Sequence, residues 1–130
     1  MSGSPRIPFR NTAAFMAILF ALSACGTIGD TAAIREASQY AVDCQPDKAL
    51  AILDRAQQAG GLSAYIAELE KIVVLQDAGR EQEAAAALKS YHAQHDQDPQ
   101  SRENTENSIR DSLKELRDLR LKETGQRTCP

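Results

Sequence analysis

From Ala32 onward the apolar residues of this chain recur every three or four positions instead of every second, and that regularity restricts the fold more than any other feature. Such spacing gives a helix one apolar face, whereas a half-buried strand needs a period of two. Ala33, Ala37, Tyr40 and Ala41 share one face, and Ala49, Ile52, Leu53 and Ala56 share another. The strongest pattern is Leu62, Tyr65, Ile66, Leu69, Ile72, Val73 and Leu75, which predicts the most buried helix of the set. Ala84, Ala87, Leu88 and Tyr91 follow. A narrow last stripe holds Ile109, Leu113 and Leu116, then Leu119 and Leu121. Composition points the same way: Trp is absent and aromatics reach only 5%, while good helix formers dominate from Ala32 to Lys122.

Turn and cap residues divide these stripes. Asp30 or Thr31 can cap a first helix that runs to about Asp43. Cys44-Gln45-Pro46-Asp47 breaks it, and Pro46 suits the first turn of a second helix, where its missing N–H is no loss. Gly60-Gly61 ends that helix near Ala59, and Asp77-Ala78-Gly79-Arg80 separates the third from a fourth that ends near His95. Asp98 then reads as an N-cap and Pro99 as the first position of a charged fifth helix reaching Glu123, with Gly125 marking its end. The expected fold is all-α with about five helices: hairpins over 30–98, a C-terminal helix over 99–123 and a tail over 124–130.

The first 24 residues have a different character. Arg6 and Arg10 are their only charges, and an uncharged run from Ala13 to Leu22 follows, the layout of a signal peptide. That run of roughly ten to thirteen residues is short of the roughly 20 that a spanning helix needs. Leu22-Ser23-Ala24-Cys25 comes next and resembles the bacterial lipobox, in which a large aliphatic residue and two small ones precede a cysteine. The resemblance implies that the Cys25 thiol accepts a diacylglyceryl group and becomes the acylated N-terminus after cleavage, with 25–29 as a glycine-bearing lipidated tether. A plain secretory leader with Cys25 as a bystander is the competing reading. Lipoproteins retained at the inner membrane often carry Asp after the cysteine. Gly26 stands there instead, so the resemblance implies the outer membrane, facing the periplasm.

Shifting the chain by 35 residues places Tyr40 on Leu75, Cys44 on Gly79, Ala49 on Ala84 and Leu53 on Leu88. A period in this range marks stacked helix-turn-helix units. Ala37-x-x-Tyr40 and Ala49-x-x-x-Leu53 followed by Ala56 resemble the tetratricopeptide repeat (TPR) family, whose small residues let paired helices approach closely. The second unit departs from the pattern with Ile72 and Tyr91 at small-residue positions, and neither unit has the family's tryptophan or closing proline. The resemblance implies a short TPR-like helical-hairpin array with the fifth helix as its cap. It also implies a protein or peptide partner in a groove lined by the first helix of each unit, at Arg35, Gln39, Glu68 and Lys71. An ordinary bundle of equally long helices is the alternative architecture.

Several function classes lose support at this stage. The formal net charge is −3, and the portion after the leader is more acidic still, which disfavours nucleic acid. His92 and His95 lie three apart, but no cysteine or third histidine is near, and imidazoles at a helix C-terminus are favoured by the dipole; no metal is expected. Glu68 and Glu70, or Glu81 and Glu83, are spaced by two and point to different sides of a helix. No nucleophile, base or cofactor-binding loop stands out, so an enzyme is not expected. Cys44 and Cys129 are the two other thiols, and an exported chain meets a compartment in which such pairs close. Five alternating helices put both at one end of the molecule, and residues 124–128 can span about 3.3 Å each to meet a lateral gap. Two free thiols or a bridge to another molecule are the alternatives. Taken together, the residues suggest a membrane-anchored adaptor or assembly factor of the cell envelope; the second reading is a structural lipoprotein self-associating through its C-terminal helix.

Overall fold

A computed structural model describes residues 32–96 and 98–130. The expected signal peptide, the lipidated Cys25, the tether and the cap at Asp30 or Thr31 lie outside the described residues. Five helices follow in order: α1 over 32–42, α2 over Pro46–Ala59, α3 over Gly61–Asp77, α4 over Glu81–His95 and α5 over Pro99–Thr124. Among the described residues there is no strand, and no helix is long and apolar enough to cross a membrane.

The breaks act through their backbone chemistry. Pro46 opens α2, and the Asp98 carboxylate accepts the Ser101 N–H at 2.9 Å ahead of Pro99. The turns after α1 and α3 have the same build. Cys44 and Gly79 both have positive φ, 58° and 70°, and both donate to the carbonyl three residues back, at Ala41 and Gln76. The following N–H groups, of Gln45 and Arg80, reach five residues back to the Tyr40 and Leu75 carbonyls at 2.8 and 2.9 Å. This pair of bonds closes a helix with a left-handed residue, a role that glycine fills without steric cost. Every one of these positions repeats at 35, so the sequence period has a counterpart in hydrogen bonds.

Short turns make neighbouring helices antiparallel, so α1, α3 and α5 run one way and α2 and α4 the other. One core joins α1 to α4 through Ala37, Ala41, Ala49, Leu50, Leu53, Ala56, Ala67, Leu75 and Ala84. A second seats α5 against α3 and α4 through Ile72, Val73, Tyr91 and Ile109, with Leu113 and Leu116 partly buried beside them. The fifth helix therefore lies along the array as its cap. One expectation needs correction. The stripe of α3 is not buried throughout, because Leu62, Tyr65 and Ile66 are exposed at 77%, 42% and 38%, and burial begins at Ala67. Within this stretch Tyr65 keeps ring contacts to Tyr91 and His95 of α4, while Leu62 is left largely open.

Candidate functional site

The four residues expected to line a groove do not meet on one face. Arg35 is exposed on α1. Gln39 donates to Asp43 at 3.4 Å and, across to the end of α5, to Glu123 at 3.3 Å. Glu68 instead turns towards α2 and α4: one carboxylate oxygen accepts from Gln57 at 2.7 Å and the other meets His95 Nε2 at 2.8 Å. Lys71 pairs with Asp54 of α2 at 2.5 Å. Helical phase explains the separation. At 3.6 residues per turn, Glu68 and Lys71 share a side of α3, while Glu70, Val74 and Asp77 lie roughly opposite, towards α1 and α5. A shallow cleft of about 150 Å³ between α2, α3 and α4 includes Gln57, Glu68, Lys71, Tyr91 and Gln94.

The opposite side, where paired first helices would present a groove, is occupied by α5. What remains is a cleft of about 200 Å³ between α1, α3 and α5, lined by Ser38, Glu70, Val74, Glu115, Leu116 and Leu119 among others. Burial, and after it the Glu115 carboxylate, pushes the Glu70 carboxyl above the usual carboxylate range. In the sequence Glu70 stands out only as the neighbour of Glu68 that points to another side of the helix, and its spacing from Val74 and Asp77 places those three on one face.

At the end of the molecule where α4 passes into α5, aromatic and acidic groups gather. The rings of Tyr65, Tyr91 and His95 lie 4.5 to 5.5 Å apart. His92 Nδ1 meets the buried Asp96 carboxylate at 2.6 Å and its Nε2 meets Glu106 of α5 at 3.2 Å. Thr105 donates to the other Asp96 oxygen at 3.2 Å. Burial, then the Tyr65 hydroxyl and the Asp96 and Glu68 carboxylates, drives the Tyr91 phenol well above the ordinary tyrosine range. The Tyr91 hydroxyl has no hydrogen-bond partner among the described residues. These contacts hold the start of α5 to the end of α4. Among the described residues no group of three or more His, Cys, Asp or Glu has the arrangement of a metal site.

The other end is held by charge and by a covalent bond. Arg120 of α5 is fully buried. Its guanidinium donates to the Ala41 and Val42 carbonyls at the end of α1 at 2.8 and 3.1 Å, to both Asp77 carboxylate oxygens at the end of α3, and to the Arg127 carbonyl at 3.0 Å. The ends of α1 and α3 meet here, and a cation at the last carbonyls of α1 is favourable. Cys44 and Cys129 are joined by a disulfide with their Cα atoms 5.5 Å apart, which fixes the tail beside the end of α1. Of the open choices for the two thiols, the intramolecular bridge is the one present. Nothing in the sequence singles out Arg120, one basic residue among many on a charged helix.

Comparisons with protein-family models, with curated proteins and with solved structures gave no match.

Proposed function

We propose that this chain is a lipoprotein held by an acylated Cys25 at a bacterial envelope membrane, with the outer membrane's periplasmic face favoured, where its TPR-like array acts as an adaptor or assembly factor for a protein or peptide partner. The observation that carries the anchor is the Leu22-Ser23-Ala24-Cys25 tetrad behind a charged start and a short apolar run. A closed Cys44–Cys129 pair supports export, since such bonds persist in oxidising compartments. Matching turn bonds 35 residues apart support the repeat. A binding role is favoured over catalysis because His92, His95, Glu68 and Lys71 pair with groups on neighbouring helices and so bind the fold together.

The array offers a partner two faces. One carries Arg35 and Gln39, the other Glu68 and Lys71, and α5 stands between the first of these and the groove that the family resemblance implies. Self-association through α5 is the weaker reading, because Ile109 is buried and Leu113 and Leu116 already pack on the array, leaving Leu119 and Leu121 more exposed. Replacing Cys25 with Ser should abolish incorporation of labelled palmitate and release the chain from the membrane fraction. Photo-crosslinkers at Arg35 and Gln94 should then give an adduct of one size from one face only. A chain that stays membrane-bound and unlabelled in both forms would defeat the anchor. Adducts only of the chain with itself would turn the reading to self-association.

A further inference from the structure

Leu62, Tyr65 and Ile66 form an apolar patch at the start of α3, with Leu62 77% exposed. They lie at i, i+3 and i+4 and so share a helix face. Tyr65 is held in place by ring contacts to Tyr91 and His95 at 5.5 and 5.1 Å. The patch sits at the end of the molecule where α1 begins, because α1 and α3 run parallel and the disulfide marks the opposite end. The described chain begins at Ala32, seven residues after Cys25. At about 3.3–3.6 Å per residue the intervening chain reaches at most about 25 Å. The far end of α3, a helix of 17 residues, lies about another 25 Å beyond. A lipid on Cys25 thus holds the start of α1, and the patch at the same end, within about 25 Å of the membrane, whereas the disulfide end can lie about 50 Å from it.

We infer that Leu62, Tyr65 and Ile66 are a membrane-docking surface that seats on the lipid of the leaflet carrying the anchor and sets the orientation of the array. This rests on the lipid anchor proposed above. The chemistry of the patch suits a bilayer interface: two aliphatic side chains can enter the acyl boundary to a depth of about 5–10 Å, and a tyrosine sits well where one end is apolar and the other wet. The exposed charges near the start of α1, towards the end of α2 and at the start of α5 are of both signs: Arg35, Glu36, Arg55, Asp98, Arg102 and Glu103. The contact is therefore driven by apolar burial and depends little on salt or on anionic lipid. With the patch at the surface, the end of the array that carries the Cys44–Cys129 bridge points away from the membrane.

The chain has no tryptophan, so single reporters are unambiguous. Full chains carrying Leu62→Trp, Ile66→Trp or Gln126→Trp would be exported and processed in bacteria, purified with their lipid, and reconstituted into phosphatidylethanolamine–phosphatidylglycerol vesicles with shallow nitroxide-labelled lipid. Emission from the first two should be blue-shifted and fall about twofold or more with the nitroxide, as expected at interfacial depth, while Gln126→Trp at the disulfide end should be unaffected. Leu62 and Ile66 are exposed, so circular dichroism of both variants should match the parent. An acylated protein retained on vesicles with unquenched emission at both positions overturns the docking and leaves the anchor standing. A blue shift that grows with protein density and ignores the nitroxide overturns it in favour of a second copy on the patch. Mass spectrometry showing an unmodified Cys25 removes the anchor, and the docking with it.

Discussion

Replacing Arg120 with Ala removes a side chain that ties α5 to the ends of both α1 and α3. Its guanidinium is fully buried and bonds to Asp77 and to three backbone carbonyls, and the Asp77 side chain is only 7% exposed. Truncation leaves the Val42 carbonyl without a donor in a dry site, and leaves the Ala41 carbonyl and the Asp77 carboxylate with the Cys44 N–H and Arg117 alone. Breaking a buried pair in this way costs about 3–5 kcal/mol. Arg117 still reaches Asp77 at 3.1 Å, which holds the cost near the lower figure. For a domain of this size each kcal/mol moves the melting temperature by about 4–8 °C, so the variant should melt about 12–24 °C lower with the disulfide intact. Arg120→Lys should fall between, since a single ammonium cannot satisfy a forked set of acceptors. Arg120→Met with Asp77→Leu should recover part of the loss and stay below the parent, because the Val42 carbonyl remains unpaired. The assay is helical circular dichroism on heating without reductant. A melting temperature for Arg120→Ala within about 3 °C of the parent would refute the assignment of Arg120 as the tie.

Reduction of the Cys44–Cys129 bridge, which spans a sequence separation of 85, should destabilise by roughly 4 kcal/mol in a reductant-dependent melt. Cys44→Gly should then melt above Cys44→Ala by about 1 kcal/mol, since both lose the bridge but only glycine adopts the positive φ freely. Ala49→Trp and Ala84→Trp should each cost about 1–3 kcal/mol or more by overpacking, visible as a fall in melting temperature; no change would place these alanines outside the helix crossings. Glu70 has a raised carboxyl pKa, so the fold binds its proton more tightly than the unfolded chain does, and stability is lost as pH rises through the folded value. Glu70→Gln should therefore melt higher than the parent at pH 7, and melts across pH should show the advantage vanish towards pH 4.

Element boundaries were legible because each rests on local chemistry: Pro46, Gly60-Gly61, Gly79, the Asp98-Pro99 pair and Gly125 stop or start helices whatever packs against them. The period of 35 was legible for the same reason, since the turns at Cys44 and Gly79 repeat their hydrogen bonds. Contacts between distant segments were not. The stripe of α3 looks equally amphipathic at Leu62 and at Ile72, and only the extent of its partners leaves the first exposed and the second buried. Glu68 and Lys71 were assigned to a groove because the resemblance puts first-helix residues there, yet their phase on α3 turns them to Gln57, Asp54 and His95. Arg120 could not be distinguished from the other charges of α5, because its burial depends on the ends of two helices far away in sequence.

The central claim is an exported chain anchored through Cys25, and intact mass spectrometry of the protein extracted from bacterial membranes, followed by a non-reducing tryptic digest, tests it most directly. The expected species is a chain that begins at Cys25, carries the mass of a diacylglyceryl group with or without an amide-linked acyl chain, and yields the Cys44 and Cys129 peptides as one linked species. A chain that retains residues 1–24, or begins elsewhere with an unmodified Cys25, would contradict it.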